Sequence, residues 1–266
     1  MDMYLNAVIL GVLEAATEFL PVSSTGHLIL LSHVLGFEGI GADVFKVAIQ
    51  LGAILAVCVL YFGRLWKVLV GLPTKPEARR FAIAILVAFF PAAVLGALFH
   101  DYIKTVLFSP YVVCVALVLG GIAILVAEKR APKPRIHAVE EMNWLTSLKV
   151  GACQCLALIP GVSRSGATIL GGILMGLDRK AATEFSFFLA IPTMFGATVF
   201  DLYKARDQLS MDDMQVIGVG FVVTFVVALL VVKWAVGFIA KHGFAPFAYY
   251  RIVLGTLGLV GLTLVG

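Results

Sequence analysis

One twenty-residue stretch of this chain recurs 140 residues downstream, and both copies break an apolar run with a polar loop. Residues 11–30 read GVLEAATEFLPVSSTGHLIL, and residues 151–170 read GACQCLALIPGVSRSGATIL. The register places Ser23 on Ser163, Ser24 on Arg164, Thr25 on Ser165 and Gly26 on Gly166. Proline closes the first segment of each copy, because it has no N–H to give and its ring clashes with the preceding turn. A second apolar segment opens directly after the loop. The fold of such a chain has to accommodate two broken helices, and their polar tips need somewhere to go.

Everything around the two copies is close to hydrocarbon. The chain is 61% hydrophobic and 14% charged, where soluble domains carry about 25% charged residues. Its mean hydropathy is +1.02. Several apolar runs reach the ~20 residues that a helix needs to cross a bilayer core. The expected class is an all-α polytopic membrane protein. No basic stretch precedes the first apolar run and no small-residue cleavage site follows it, so no signal peptide is expected. A formal net charge of +4 is too small to suggest nucleic acid, and basic residues beside membrane-flanking loops account for it. Cys58, Cys114, Cys153 and Cys155 sit in apolar segments and read as small core residues. Cys153 and Cys155 lack the His or Cys partners that a zinc site needs.

Taken in order, residues 4–36 hold two apolar segments too short to span, which fit a re-entrant helical hairpin. Spans are expected near 43–63, 80–99 and 110–128. A polar stretch over 128–143 then divides the single membrane domain into halves, 1–135 and 136–266. The second re-entrant hairpin falls at 145–176, followed by spans near 183–203, 214–240 and 246–265. Basic residues cluster over 64–80 and 129–135, and the positive-inside rule makes that side cytoplasmic. The loops near 101–104 and 201–213 then face outward. The first hairpin enters from outside and the second from inside. Each half is a re-entrant hairpin plus three transmembrane helices, so the halves form an inverted-topology repeat.

The polar residues of the two hairpins carry the chemistry. Glu14 and Glu18 are one helical turn apart and project from one face. Acids at membrane depth are functional-site candidates by default. Two such carboxylates cannot both stay charged and bare, so either one keeps a proton or a cation sits between them. Mg²⁺ or Ca²⁺ takes carboxylate oxygens together with substrate phosphate oxygens. The loop Ser23, Ser24, Thr25, Gly26 and His27 sets three hydroxyls and backbone N–H groups at a helix start, which is an anion site. His27 stands one turn from Ser24 as its base, as a general acid or as the nucleophile itself. In the second copy Arg164 stands among Ser163, Ser165, Gly166 and Thr168, and a guanidinium fork matches phosphate oxygens. Gln154 replaces Glu14 there, so the halves are specialised. Asp178, Glu184 and Ser186 read as helix-end polarity, and His33, His100, His137 and His242 as structural.

GVLEAATEFLPVSSTGH followed by PGVSRSGAT, in an apolar chain of this length, resembles the undecaprenyl-diphosphate phosphatase family, the integral-membrane type linked to bacitracin resistance. Both motifs are intact and the resemblance covers essentially the whole chain. It implies hydrolysis of a polyprenyl diphosphate lipid to the monophosphate carrier used in cell-wall synthesis. It also implies dependence on a divalent cation and a site at the outer face of the bacterial inner membrane. The family's acidic motif falls on Glu14 and Glu18, its loop on Ser23, Ser24, Thr25 and His27, and its arginine motif on Ser163, Arg164, Ser165 and Thr168. Ser24, His27 or a metal-bound water stands as nucleophile. The competing class is an isoprenoid-lipid flippase or small-molecule transporter, which inverted repeats favour but which does not require this constellation. A scaffold leaves the buried charges unexplained. Beyond membrane lipid, the sequence is compatible with a homodimer.

Overall fold

The computed structural model describes residues 3–37, 40–205 and 210–265. The helices run α1 (Met3–Thr17), α2 (Ser24–Leu35), α3 (Ile40–Leu60), α4 (Phe62–Gly71), α5 (Pro76–Tyr102), α6 (Pro110–Arg130), α7 (Trp144–Gln154), α8 (Arg164–Leu174), α9 (Arg179–Ala205), α10 (Met211–His242) and α11 (Ala245–Val265). Among the described residues there is no strand, only an isolated bridge between Ile136 and Leu177. Six of these helices, α3, α5, α6, α9, α10 and α11, are long and apolar enough to cross a membrane. Large apolar side chains such as Phe90, Leu230 and Leu257 stand exposed along them, as lipid-facing helices require. The chain is a multi-pass membrane protein.

The remaining helices are short for a reason that can be read locally. α1 has 15 residues, α2 has 12, and α7 and α8 have 11 each, so at 1.5 Å per residue none reaches the ~30 Å of a hydrocarbon core. α1 packs against α2 and α7 against α8, giving two helical hairpins. Ser23 caps α2 by accepting from the Gly26 N–H at 3.3 Å, and Ser163 caps α8 by accepting from the Gly166 N–H at 3.0 Å. α2 ends on Gly36, whose φ of +63° lets its N–H turn back to the His33 and Ser32 carbonyls. Such a left-handed C-cap is glycine's usual place.

Two features depart from expectation. The first basic loop contains α4, where Phe62, Trp66, Leu69 and Val70 recur at helical spacing and stand exposed, the pattern of a helix lying along an interface. Several spans also run a turn beyond the apolar stretch at their ends, as in Pro76–Tyr102. Of the loop expected at 201–213, residues 206–209 lie outside the described residues.

The two halves interlock. α1 packs on α10 of the second half, and α7 packs on α5 of the first. Glycines at equivalent positions of the repeat allow both contacts. A Cβ on Gly11 would stand 2.9 Å from the Gly220 carbonyl oxygen, and one on Gly151 would stand 2.8 Å from Ala88 Cα. Small residues let helix backbones approach where hydrocarbon offers no hydrophobic drive. Thr224 adds a hydroxyl bond to the Gly11 carbonyl at 3.1 Å. Gly151→Ala is therefore expected to destabilise the fold by about 1–3 kcal/mol through overpacking, seen as a lower melting temperature in detergent. An unchanged melting temperature would show that α5 and α7 can move apart freely.

Candidate active site

The crossing of the halves brings the two hairpin tips into contact. Ser165 Oγ donates to the Leu20 carbonyl at 2.7 Å, and Arg164 reaches Glu18 from across the repeat. The backbone shows the duplication as clearly as the letters do. Ser23 (φ +71°) and Ser163 (φ +79°) are the only non-glycine residues at positive φ among the described residues. A side chain held there costs on the order of 1–3 kcal/mol, and such strain gathers at functional sites. Each of these serines is the cap of a short helix, so the residue that follows opens the helix with a fixed direction. Those following residues are Ser24 in one half and Arg164 in the other.

Glu18 lies between them. Its Oε2 accepts from Ser24 Oγ, and its Oε1 accepts from Arg164 Nη2 at 2.9 Å. The carboxylate is buried, and the Arg164 side chain is only 12% exposed, so solvent screens this pair little. Arg164 Nη1 donates to the Ser186 carbonyl at 2.6 Å, while its buried Nε has no partner in the protein. One guanidinium N–H therefore remains for a ligand.

Glu14 occupies the turn of α1 before Glu18. It is fully buried, and neither carboxylate oxygen has a hydrogen-bond donor. A bare buried carboxylate is too costly to persist, which calls for a proton or a cation at this place. Its donor set suits a hard divalent ion: Glu14 with Glu18, completed by phosphate oxygens of a ligand. Among the described residues no three His, Cys, Asp or Glu side chains gather into a metal cage, so such an ion would depend on those added oxygens.

His27 is engaged elsewhere. Nδ1 lies 2.7 Å from the Ser23 carbonyl, which can only accept, so Nδ1 is assigned the hydrogen. In that tautomer Nε2 accepts from the Tyr250 hydroxyl at 2.7 Å. Both ring nitrogens are occupied, and the hydroxyl of Ser24 turns to Glu18 instead. The sequence offered His27 as the base for Ser24, but it is Glu18 that the structure sets in contact with the hydroxyl.

The second loop forms a hydroxyl cluster. Ser163 and Ser165 Oγ are 3.1 Å apart, and Thr168 Oγ1 lies 2.8 Å from Ser186 Oγ and 2.9 Å from the Arg164 carbonyl. Gly26 and Gly166 keep the tips tight: a Cβ on Gly26 would meet Ser23 Oγ and Val113 at 3.1 Å, and one on Gly166 would meet Ser163 at 3.2 Å. Gln154 is buried, receives the Thr193 hydroxyl at 3.5 Å and leaves its Nε2 without a partner. Thr25 stands half-buried in the first turn of α2.

Three residues at the site were passed over in the sequence. Ser186 read as helix-end polarity, yet it receives both Arg164 and Thr168. Tyr250 holds His27 from α11. Arg251, beside it, is 1% exposed and reaches both loops. The signal for Arg251 was available: a charge inside an apolar span is itself a functional-site hypothesis. Glu184, by contrast, pairs with Arg64 at 2.6 Å, away from the tips.

A carboxylate that bridges a hydroxyl and a guanidinium, beside two helix N-termini and a second bare carboxylate, is equipped to bind phosphate and to activate a nucleophile. Comparison with known proteins agrees with that chemistry. Residues 7–257 match the family model described as bacitracin resistance protein BacA. The "Undecaprenyl-diphosphatase" of Parvibaculum lavamentivorans is 56% identical over 261 residues, covering 98% of this chain and 97% of that protein. "Undecaprenyl-diphosphatase 1" of Agrobacterium fabrum is 53% identical over 263 residues, covering 98% of each. The "Undecaprenyl-diphosphatase" of Caulobacter vibrioides is 54% identical over 260 residues, covering 97% of each. With the family model spanning nearly the whole chain and relatives matched end to end, this chain belongs to the bacitracin resistance protein BacA family.

Proposed function

We propose that this chain is an undecaprenyl-diphosphate phosphatase: it hydrolyses undecaprenyl diphosphate to undecaprenyl phosphate and inorganic phosphate. Recycling of the lipid carrier for cell-wall synthesis, and with it bacitracin resistance, follows from that activity. The observation that carries the reading is Glu18, held between the Ser24 hydroxyl and the Arg164 guanidinium. Phosphoryl transfer needs mainly in-line positioning and neutralised charge, and this trio supplies a nucleophile, its base and a cation in contact.

Arg164 and the N–H groups opening α2 and α8 grip the diphosphate, with Ser163, Ser165 and Thr168 around them. Ser24 Oγ attacks the terminal phosphorus as Glu18 Oε2 takes its proton. The bond to the bridging oxygen breaks, and undecaprenyl phosphate leaves. Water then cleaves the phosphoserine, releasing phosphate and restoring the hydroxyl. His27 holds the Ser23 carbonyl and so the strained turn that aims Ser24. Glu14 and Glu18 would hold a divalent cation, Mg²⁺ or Ca²⁺, whose charge would neutralise developing charge on the phosphate oxygens. The basic residues over 64–80 and 129–135 set those loops in the cytoplasm, which turns the acidic hairpin to the outer face of the bacterial inner membrane. The lipid tail lies among the spanning helices.

The test is phosphate release from C55 diphosphate by purified protein in detergent, with and without EDTA. Release that EDTA stops and added Mg²⁺ or Ca²⁺ restores is the expected result. Lipid binding without any release would remove the phosphatase reading and move the question to transport in liposomes.

A further inference from the structure

Arg251 is the largest fully buried side chain among the described residues, and it bears a charge. It projects from α11, and its five N–H donors meet five backbone carbonyls. Nη1 donates to Pro21 and to Val162, each at 3.0 Å. Nη2 donates to Gly161 at 2.8 Å and to Ala116 at 3.2 Å, and Nε donates to Leu117 at 3.3 Å. Pro21 belongs to the first loop, Gly161 and Val162 to the second, and Ala116 and Leu117 to α6. One planar group thus ties both hairpin tips to the same helix, two residues before Ser23 and one before Ser163. It forms no ion pair among the described residues, so carbonyl dipoles alone offset its charge. Burying a guanidinium this way is expensive, and a chain that needed only packing at this place would fill it with an apolar side chain.

The surroundings are shaped to this one group. A Cβ on Gly120 would stand 2.6 Å from Arg251 Cζ, so α6 leaves a notch that the guanidinium occupies. A Cβ on Gly166 would approach Arg251 Nη1 to 3.3 Å. Ser23 and Ser163 hold strained conformations one or two residues after the clamped carbonyls, and such conformations persist only where surrounding structure over-determines them.

We propose that Arg251 is a positioning residue that locks the two phosphate-binding loops in register, so that Ser24 and Arg164 meet at Glu18. This rests on the phosphatase reading above for its effect on turnover, though the clamp itself does not. Lysine keeps the charge but has three donors and no planar fork, so it cannot hold both loops and α6 together. A misplacement of about 1 Å can lower turnover about 100-fold, and that is the loss expected in kcat for Arg251→Lys. KM is expected to stay within about threefold, because Arg164 and the loop amides that bind phosphate remain.

The experiment uses the full chain in detergent. It measures kcat and KM on C55 diphosphate, thermal unfolding, and amide hydrogen exchange over residues 18–26 and 158–166. Gly120→Ala is the second variant: it adds only a methyl to α6, and the methyl displaces the guanidinium without touching substrate. Both variants are expected to lower kcat and to speed exchange in both loops together, and the double variant is expected to add little to either. Wild-type kcat in both variants, or a kcat loss that merely follows the unfolded fraction with unchanged loop exchange, overturns the proposal. If wild type itself releases no phosphate, the phosphatase reading fails, and loop exchange still decides the clamp.

Discussion

Arg164→Ala is expected to lower kcat/KM for phosphate release by about 10³-fold or more, within the 10³–10⁵ that a transition-state arginine contributes to phosphoryl transfer. Alanine erases the side chain's contacts with Glu18 Oε1 at 2.9 Å, the Ser186 carbonyl at 2.6 Å and the Ser186 hydroxyl at 3.3 Å. The buried Nε–H of Arg164 is also left without a protein partner. Removing the side chain deprives the incoming phosphate of its guanidinium and leaves Glu18 facing that phosphate with an uncompensated charge. Arg164→Lys restores the charge but not the paired donors, and is expected to recover only part of the loss. Initial rates on C55 diphosphate, normalised to folded protein, decide the matter. An alanine variant within tenfold of wild type would remove Arg164 from the phosphate site.

The second large effect concerns Glu18. Glu18→Gln keeps the shape and an oxygen that can accept from Ser24, but the amide cannot take a proton at neutral pH. Loss of a general base lowers turnover by about 10²–10⁴-fold. The new NH₂ also confronts Arg164 Nη2 donor to donor, and a buried charge that loses its partner destabilises by about 3–5 kcal/mol. Thermal unfolding therefore has to be measured beside the rates. The two effects separate in a cycle with Ser24→Ala. If Glu18 acts only through the Ser24 hydroxyl, the double variant is no slower than the worse single one, since residues acting as a unit are non-additive. Retention of a tenth or more of wild-type kcat in Glu18→Gln would move the base elsewhere, with His27 next in line.

Much of this protein lay in plain view in its sequence. Hydrocarbon crossing requires helices with satisfied backbones, so composition and run length alone led to six spans and two short broken segments. The repeat located both loops, and the residue types in them, two acids, clustered hydroxyls and a guanidinium, have few uses inside a membrane other than holding an anion. Resemblance to a known family added the substrate. These are local or compositional properties, and a linear reading retains them.

The partners of each side chain were not legible. Ser24 and His27 are neighbours in sequence, yet the helix turns His27 towards Tyr250 while Ser24 faces Glu18. Ser186 read as the polar end of a span because nothing local links it to Arg164, 22 residues earlier. Arg251 lies 230 residues from Pro21 and 90 from Gly161, and only the interlocking of α11, α6 and the two tips brings their carbonyls around it. The residue inventory of the site is local chemistry written into two short stretches. Its wiring comes from how the two halves cross, because a hydrogen bond depends on direction and distance between groups that the chain order leaves far apart.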